Sequence, residues 1–240
     1  VWKPNHHGGA GKPPGRPGSF LGKLGILALL TAAGATLALR PEPVAVVAGV
    51  LLLAAMYTHA VELQHQALHH SAFRRAWPHR ILVVLRDVVR SAAGRWNYEF
   101  GDISPKMRRH VVQEHLVQGA AVLTATGLAL AGLGEYVLLL WVLPVVAAVP
   151  MHFLVELPEH ILCDTETTDV LHNTRSIRGS WLSTWYTNGN NLHIEHHAAM
   201  SVPINQLPAR HEETRRFARH VERTYTDFYR TLWQALRAPK

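Results

Sequence analysis

The chain has 240 residues, 48% apolar and 17% charged, with 24 Lys and Arg against 17 Asp and Glu. That length holds one domain or at most two, and the low charge with a mean hydropathy of +0.02 excludes an acidic or disordered polypeptide. A single cysteine, Cys163, excludes an intramolecular disulfide framework and any site built from several thiolates of one chain. Histidine is in surplus, with 17 residues, as many as Asp and Glu together. Stability needs no such number; a metal site does.

Residues 1–20 are rich in Gly and Pro, lack an apolar period and read as a flexible tail. They carry no short apolar run ending at a small-residue cleavage site, so no cleaved signal peptide is expected. Four apolar runs follow, at residues 24–39, 43–57, 116–133 and 137–157. The first two are separated by Arg40-Pro41-Glu42 and the last two by Gly134-Glu135. A membrane span takes roughly 20 apolar residues, so each run reads as a transmembrane helix, the first two borrowing flanking residues. The expected fold is all-α and integral to the membrane. Its four helices form two hairpins, under a cytoplasmic helical cap that carries the histidines.

The charge of +7 is explained by sidedness. Two short hairpins return residues 58–115 and 158–240 to the side of the N-terminus, and every Lys and Arg except Arg40 falls there. The positive-inside rule makes that side cytoplasmic. Basic residues sorted by topology leave no reason to invoke nucleic acid. The expected units are the tail at 1–20, a membrane domain at 21–211, and an amphipathic helix at 212–240. In that helix Phe217, Val221, Tyr225, Phe228, Leu232 and Leu236 recur every three or four positions.

Nearly all histidines fall on the same face, in three clusters: His65-Gln-Ala-Leu-His69-His70, His110-Val-Val-Gln-Glu114-His115 and His193-Ile-Glu-His196-His197. On a helix, residues three and four apart lie on one face with Cβ atoms about 5–6 Å apart, which suits imidazoles converging on one ion or on two neighbours. A ligand imidazole is neutral, and several protonated together would repel, so a metal gives the reason for grouping them. A donor set rich in imidazole and free of thiolate suits iron, zinc or copper. Asn191 and Glu195 flank the third cluster as groups able to orient an imidazole or hold a water. Arg175 reads as the holder of a carboxylate or as half of a structural ion pair.

These boxes, with two apolar runs before the first and two between the second and third, resemble the membrane fatty acid desaturase family. The similarity runs from about residue 21 to 211. It is most specific in Asn173-Thr-Arg-Ser, Asn191-Leu-His193-Ile-Glu-His196-His197, Val202-Pro203 and Leu207-Pro208. Glu159-His160 resembles an additional histidine that the family often uses as a ligand. The resemblance implies a non-haem centre of two Fe ions held by His65, His69, His110, His115, His160, His193, His196 and His197. It also implies O2 as co-substrate, an external donor of the ferredoxin or cytochrome type, and a hydrophobic acyl substrate in the bilayer. The middle box departs from the pattern, reading Glu114-His115 where the family has His-His. Glu114 then ligates through oxygen, or His70 or His172 fills the position, or one metal is lost. No catalytic side chain beyond the metal centre and no organic cofactor is expected. The implied reaction is desaturation; a hydroxylase or ketolase on the same site and a non-catalytic membrane metal-binding protein are the alternatives.

Overall fold

The computed structural model describes residues 17–68, 105–199, 202 and 206–238. Residues 1–16 of the tail expected at 1–20, and the first-box residues His69 and His70, lie outside these. Among the described residues the chain is predominantly helical and divides into two compact units. One contains Leu21–Gln64 and residues 105–151, the other residues 17–20, residues 65–68 and His152 onward.

In the first unit, α1 (Pro17–Ala38) and α2 (Pro43–Leu68) both open on a proline. Proline is suited to the first helical position because its missing N–H would have no intrahelical partner there. Helix α1 therefore begins inside the segment expected to be tail. The two helices approach through small residues. A Cβ on Gly49 would lie 2.2 Å from the backbone nitrogen of Ala38, and one on Gly34 would lie 3.0 Å from Leu53 Cγ. In lipid, helix association rests on such close packing and on hydrogen bonds between helices. Tyr57 of α2 donates one such bond to Leu140 O at 2.6 Å.

The third and fourth apolar runs form one helical stretch, His115–Glu159, of 45 residues. It takes in α3 (Pro105–Leu128) from His115 on, a π-turn at Ala129–Leu133, α4 (Gly134–Val137), a second π-turn at Leu138–Val142, α5 (Leu143–Glu156) and a 3-10 turn at Leu157–Glu159. The interruption expected at Gly134-Glu135 lies at Gly132, whose φ of +88° is left-handed backbone that glycine adopts without a Cβ clash. Pro150 inside α5 withdraws one helical hydrogen-bond donor. Among the described residues, Phe20–Ala38, Pro43–Gln64 and His115–Glu159 are the three helices long and apolar enough to cross a membrane. Their apolar side chains face outward, Leu123 at 73% and Leu130 at 85% exposure. A soluble fold would bury such residues; a lipid-facing surface explains them. The chain is a membrane protein.

The second unit departs from the all-α expectation. After a 3-10 turn at Leu157–Glu159 come α6 (Val170–Asn173), β1 (Arg175–Ile177), α7 (Trp181–Tyr186), α8 (His193–Ala198), α9 (Leu207–Thr214), β2 (His220–Glu222) and α10 (Tyr225–Arg237). Strands β1 and β2 pair in parallel, Arg175 opposite His220 and Ile177 opposite Glu222. The amphipathic helix expected over 212–240 is therefore interrupted. Arg219 N donates to Leu171 O at 2.9 Å and Gly179 N to Arg223 O at 3.0 Å, so tertiary pairing captures the backbone that helical propensity would have used. The helix restarts at Thr224, whose hydroxyl accepts from Asp227 N. Phe228 of α10 is fully buried, with the Arg175 guanidinium 4.8 Å over its ring.

Two outcomes follow from this architecture. Gly49→Leu leaves no room for the α1–α2 approach and is expected to destabilise the protein by about 1–3 kcal/mol, read as an earlier thermal transition in detergent. His220 has its pKa lowered from 6.5, first by burial, then by the charges of Arg175, Arg219 and His172 acting against Asp164. The unfolded chain thus takes up the proton first as pH falls below about 6.5, so this contribution to stability is present above that pH and lost below it. His220→Gln should flatten part of the fall in unfolding temperature between pH 7.5 and 5.5; an unchanged pH dependence would contradict this account of β2.

Candidate metal centre

The segment before the third box is shaped by local rules. Ser180 caps α7 through a reciprocal box with Ser183. The chain then reverses through Asn188 and Gly189, with φ of 52° and 85°. Asparagine and glycine are the residues that tolerate this left-handed backbone best. The reversal delivers Asn190, Asn191 and the six-residue helix α8, on which His193, Ile194, Glu195 and His196 are buried and His197 is half-buried. From the other direction, the 3-10 turn at Leu157–Glu159 brings in Glu159 and His160. Arg175 fixes that turn. Its buried guanidinium donates from Nη1 to Pro158 O at 2.8 Å and to Ile161 O at 2.6 Å. Arg175 is thus chiefly a holder of backbone carbonyls, with the Glu222 carboxylate 3.9 Å from its Nε.

Three imidazoles meet. His160, His193 and His197 each bring one ring nitrogen to within 4.8 Å of the others. His193 Nε2 stands 3.3 Å from His160 Nε2 and 3.0 Å from His197 Nε2. The tautomers are set from behind. His160 Nδ1 donates to the carbonyl of Asn173 at 3.1 Å. His193 Nδ1 donates to Asn190 Oδ1 at 3.2 Å, an oxygen identified as such because Asn190 Nδ2 donates to Glu159 Oε1 at 2.8 Å. With hydrogen on Nδ1, the Nε2 atoms of His160 and His193 present lone pairs to one another, and two lone pairs do not form a hydrogen bond. A cation at their meeting point removes the conflict. Imidazoles ligating one transition ion at about 2.0–2.1 Å stand about 2.9–3.4 Å apart, matching these separations. The residues present therefore fit a bound metal.

The other expected site residues are distributed as follows. His196 is buried on α8, its ring 6.0 Å from that of His193 and 5.8 Å from that of His197. It stands beside the three-imidazole cluster and outside it. His115 is half-buried on α3 in the first unit. The side chains of His65, on α2, and of His110 and Glu114, on α3, lie outside the described residues, as do His69 and His70 entirely. His172 turns to Asp169, 3.2 Å away on an exposed flank. Cys163 has its thiol pKa raised by burial, against the pull of Arg175, and so stays protonated at neutral pH.

Asn191, expected to orient an imidazole, instead braces the backbone. Its Nδ2 donates to Ile177 O at 2.7 Å, and its Oδ1 accepts from the Thr187 hydroxyl at 3.0 Å. The imidazole contact belongs to its neighbour Asn190; sequence offered an Asn-Asn pair and no means to choose between them. Glu195 does hold an imidazole, that of His211 rather than of a box residue. Its Oε1 accepts from His211 Nδ1 at 2.7 Å, and its Oε2 from the Ser176 hydroxyl at 2.6 Å, with all three residues buried. Ser176 in turn accepts from Ile194 N, so α8 is tied to β1 and α9 together.

With this geometry in place, comparison with known proteins decides the relationship. The family model described as fatty acid desaturase matches residues 84–229, more than half of the chain. The chain belongs to the fatty acid desaturase family. Comparison with curated proteins and with solved structures finds no match. In this desaturase-family chain the matched region takes in Glu159, His160 and the whole of the third box. An oxidoreductase function follows from that membership.

Because Arg175 donates to two carbonyls of the turn that presents His160, Arg175→Met removes the charged donor from the buried Pro158 O and from Ile161 O. Loss of these charge-assisted bonds should cost about 3 kcal/mol and lower metal content in parallel. Metal analysis of the purified variant beside its thermal transition checks this; full metal retention would show that the clamp does not support the centre.

Proposed function

We propose that this desaturase-family protein is an O2-dependent diiron oxidoreductase of the membrane, which introduces a double bond into a fatty acyl chain or a related hydrophobic substrate. The observation that carries this reading is the meeting of the His160, His193 and His197 nitrogens, with two of the three tautomers fixed so that lone pairs face inward. His65, His69, His110, Glu114, His115 and His196 complete the proposed ligand set, with His70 and His172 as alternatives to Glu114. An iron pair, when bound, would supply an oxidant able to break an unactivated C–H bond, chemistry beyond any side chain.

The chain's own contribution is placement. Asn190 and the Asn173 carbonyl keep His193 and His160 in the tautomer that ligates. Arg175 holds the turn of His160. The apolar helices offer the acyl chain a surface free of competing water. The stretch His115–Glu159 would run about 68 Å if straight, roughly twice the hydrocarbon core, so we read it as two spans joined at Gly132. Together with α1 and α2 this makes four spans, with the boxes and both termini of the chain cytoplasmic by the distribution of Lys and Arg. An external ferredoxin- or cytochrome-type donor supplies two electrons. The substrate gives up two more with two hydrogens, solvent supplies two protons, and O2 leaves as two waters.

The full chain purified in detergent should carry about two irons, and His196→Ala should lose iron and activity together. Mass spectrometry of lipids from cells with and without the protein should reveal a product lighter by two hydrogens. An oxygenated product would replace desaturation by hydroxylation or ketone formation at the same site. Bound zinc, with no O2 consumed when reductant and acyl substrates are supplied, would overturn the oxidative reading.

A further inference from the structure

Helix α10 carries an apolar stripe, Tyr225, Phe228, Tyr229, Leu232, Trp233 and Leu236, at the three- and four-residue spacing of one helix face. The protein covers only its first part. Phe228 is fully buried and Tyr225, Tyr229 and Leu232 are half-buried, whereas Trp233 is 55% and Leu236 71% exposed. Around the helix axis Leu236 falls between Leu232 and Tyr229, so the exposed end belongs to the same face as the covered part.

Tyr229 sets what lies beside that end. Its hydroxyl donates to the carbonyl of Leu154, in the last turn of α5. Helix α5 belongs to the apolar stretch His115–Glu159, and Phe153 and Leu154 there turn outward at 58% and 50% exposure. The middle of α10 is thus pinned to the end of a lipid-facing helix. Trp233 and Leu236 follow Tyr229 by about 6 and 10 Å along the axis. The headgroup layer adds about 5–8 Å beyond the hydrocarbon on each side, a comparable reach.

The charges suit that layer. The Arg237 guanidinium lies 4.2 Å over the Trp233 ring. Trp and Arg are side chains that join an apolar body to a polar tip, the ring at the acyl boundary and the guanidinium among phosphates. Arg230, on the same flank, is paired with Asp227 at 3.3 Å. Over residues 207–237 seven Arg stand against four Glu and Asp, a surplus that anionic headgroups attract. An acidic protein would also meet these arginines, but beside the end of α5 it would have to displace lipid.

We propose that α10 is a membrane-docking helix, whose Trp233 and Leu236 insert among anionic headgroups of the leaflet in which α5 ends. The docked helix also carries Phe228, which packs beneath Arg175, the residue that holds the turn of His160. The docking does not depend on the metal reading.

The test uses the full chain with Cys163→Ser, a nitroxide on Leu236→Cys or on Gln234→Cys of the opposite face, and equimolar phosphatidylcholine–phosphatidylglycerol vesicles. Collisions of the label with O2, which partitions into lipid, are compared with those of a water-soluble nickel chelate. The O2-to-nickel ratio at 236 is expected to be severalfold that at 234. Equal ratios at the two positions would overturn the proposal. Arg237→Gln is expected to lower the docked-to-free ratio about fivefold, and vesicles of phosphatidylcholine alone should lower it as well. No change in either would overturn the assignment to anionic headgroups. Nickel exclusion at 236 with spin–spin broadening that disappears on mixing with excess unlabelled protein would put a second copy on this face and overturn the proposal.

Discussion

The second unit is organised around an arrangement that is unfavourable by itself: imidazole nitrogens facing one another with lone pairs inward, beside a carboxylate. In the absence of a cation such groups would rotate apart or take up protons. They are kept together by what stands behind them. The Asn173 carbonyl and the Asn190 side chain each accept the Nδ1 hydrogen of one ring and leave no other nitrogen for ligation. This is the usual division of labour at a metal centre. Groups behind the ligands choose the tautomer and the ligands supply the electrons, and loss of such outer groups typically weakens binding 10–100-fold.

The scaffold that holds these groups is built from pieces too short to stand alone. Helix α8 has six residues and β1 has three. An isolated helix of that length does not form in water, because nucleation costs more than so few hydrogen bonds return. Stability is borrowed from buried polar ties. Ser176 and His211 hold Glu195, and Arg175 holds the turn at 158–161. These ties engage buried side chains, which turns groups that would be costly to desolvate into fixed points. Such a frame has one preferred geometry, as a site that must hold ligand atoms within a few tenths of an ångström requires.

What the sequence revealed follows from the range of the interactions concerned. The apolar runs and histidine boxes were legible, since a run of twenty apolar residues or an i,i+4 pair is a local pattern with one common cause. The break at Gly132 was placed two residues late, because Gly132 and Gly134 are equivalent on paper and only the backbone distinguishes them. Strands β1 and β2 left no trace, since three residues cannot display a period and their pairing joins positions far apart in the chain. The continuous helix expected over 212–240 was misread for the same reason. Its apolar spacing is genuine in α10, but Arg219 and Arg223 are engaged by Leu171 and Gly179. The choice of Asn191 over Asn190 shows the limit most clearly: composition proposes an amide near the box, and only the turn at Asn188-Gly189 decides which one faces the imidazole.

The two glutamates beside the third box carry that reasoning one step further. Glu195 sits between the ligand positions in sequence, Glu159 far from them, so proximity along the chain favours Glu195 as the residue closest to the metal. Tertiary structure reverses the order. Helical rotation turns Glu195 toward β1 and α9, where a hydroxyl and an imidazole saturate both of its oxygens, and its charge serves to anchor α8. Glu159 arrives on a turn held by Arg175, with Oε1 accepting from Asn190 Nδ2 and Oε2 3.1 Å from His193 Nε2. The same chemical group anchors α8 to β1 and α9 in one place and stands beside the imidazole cluster in the other.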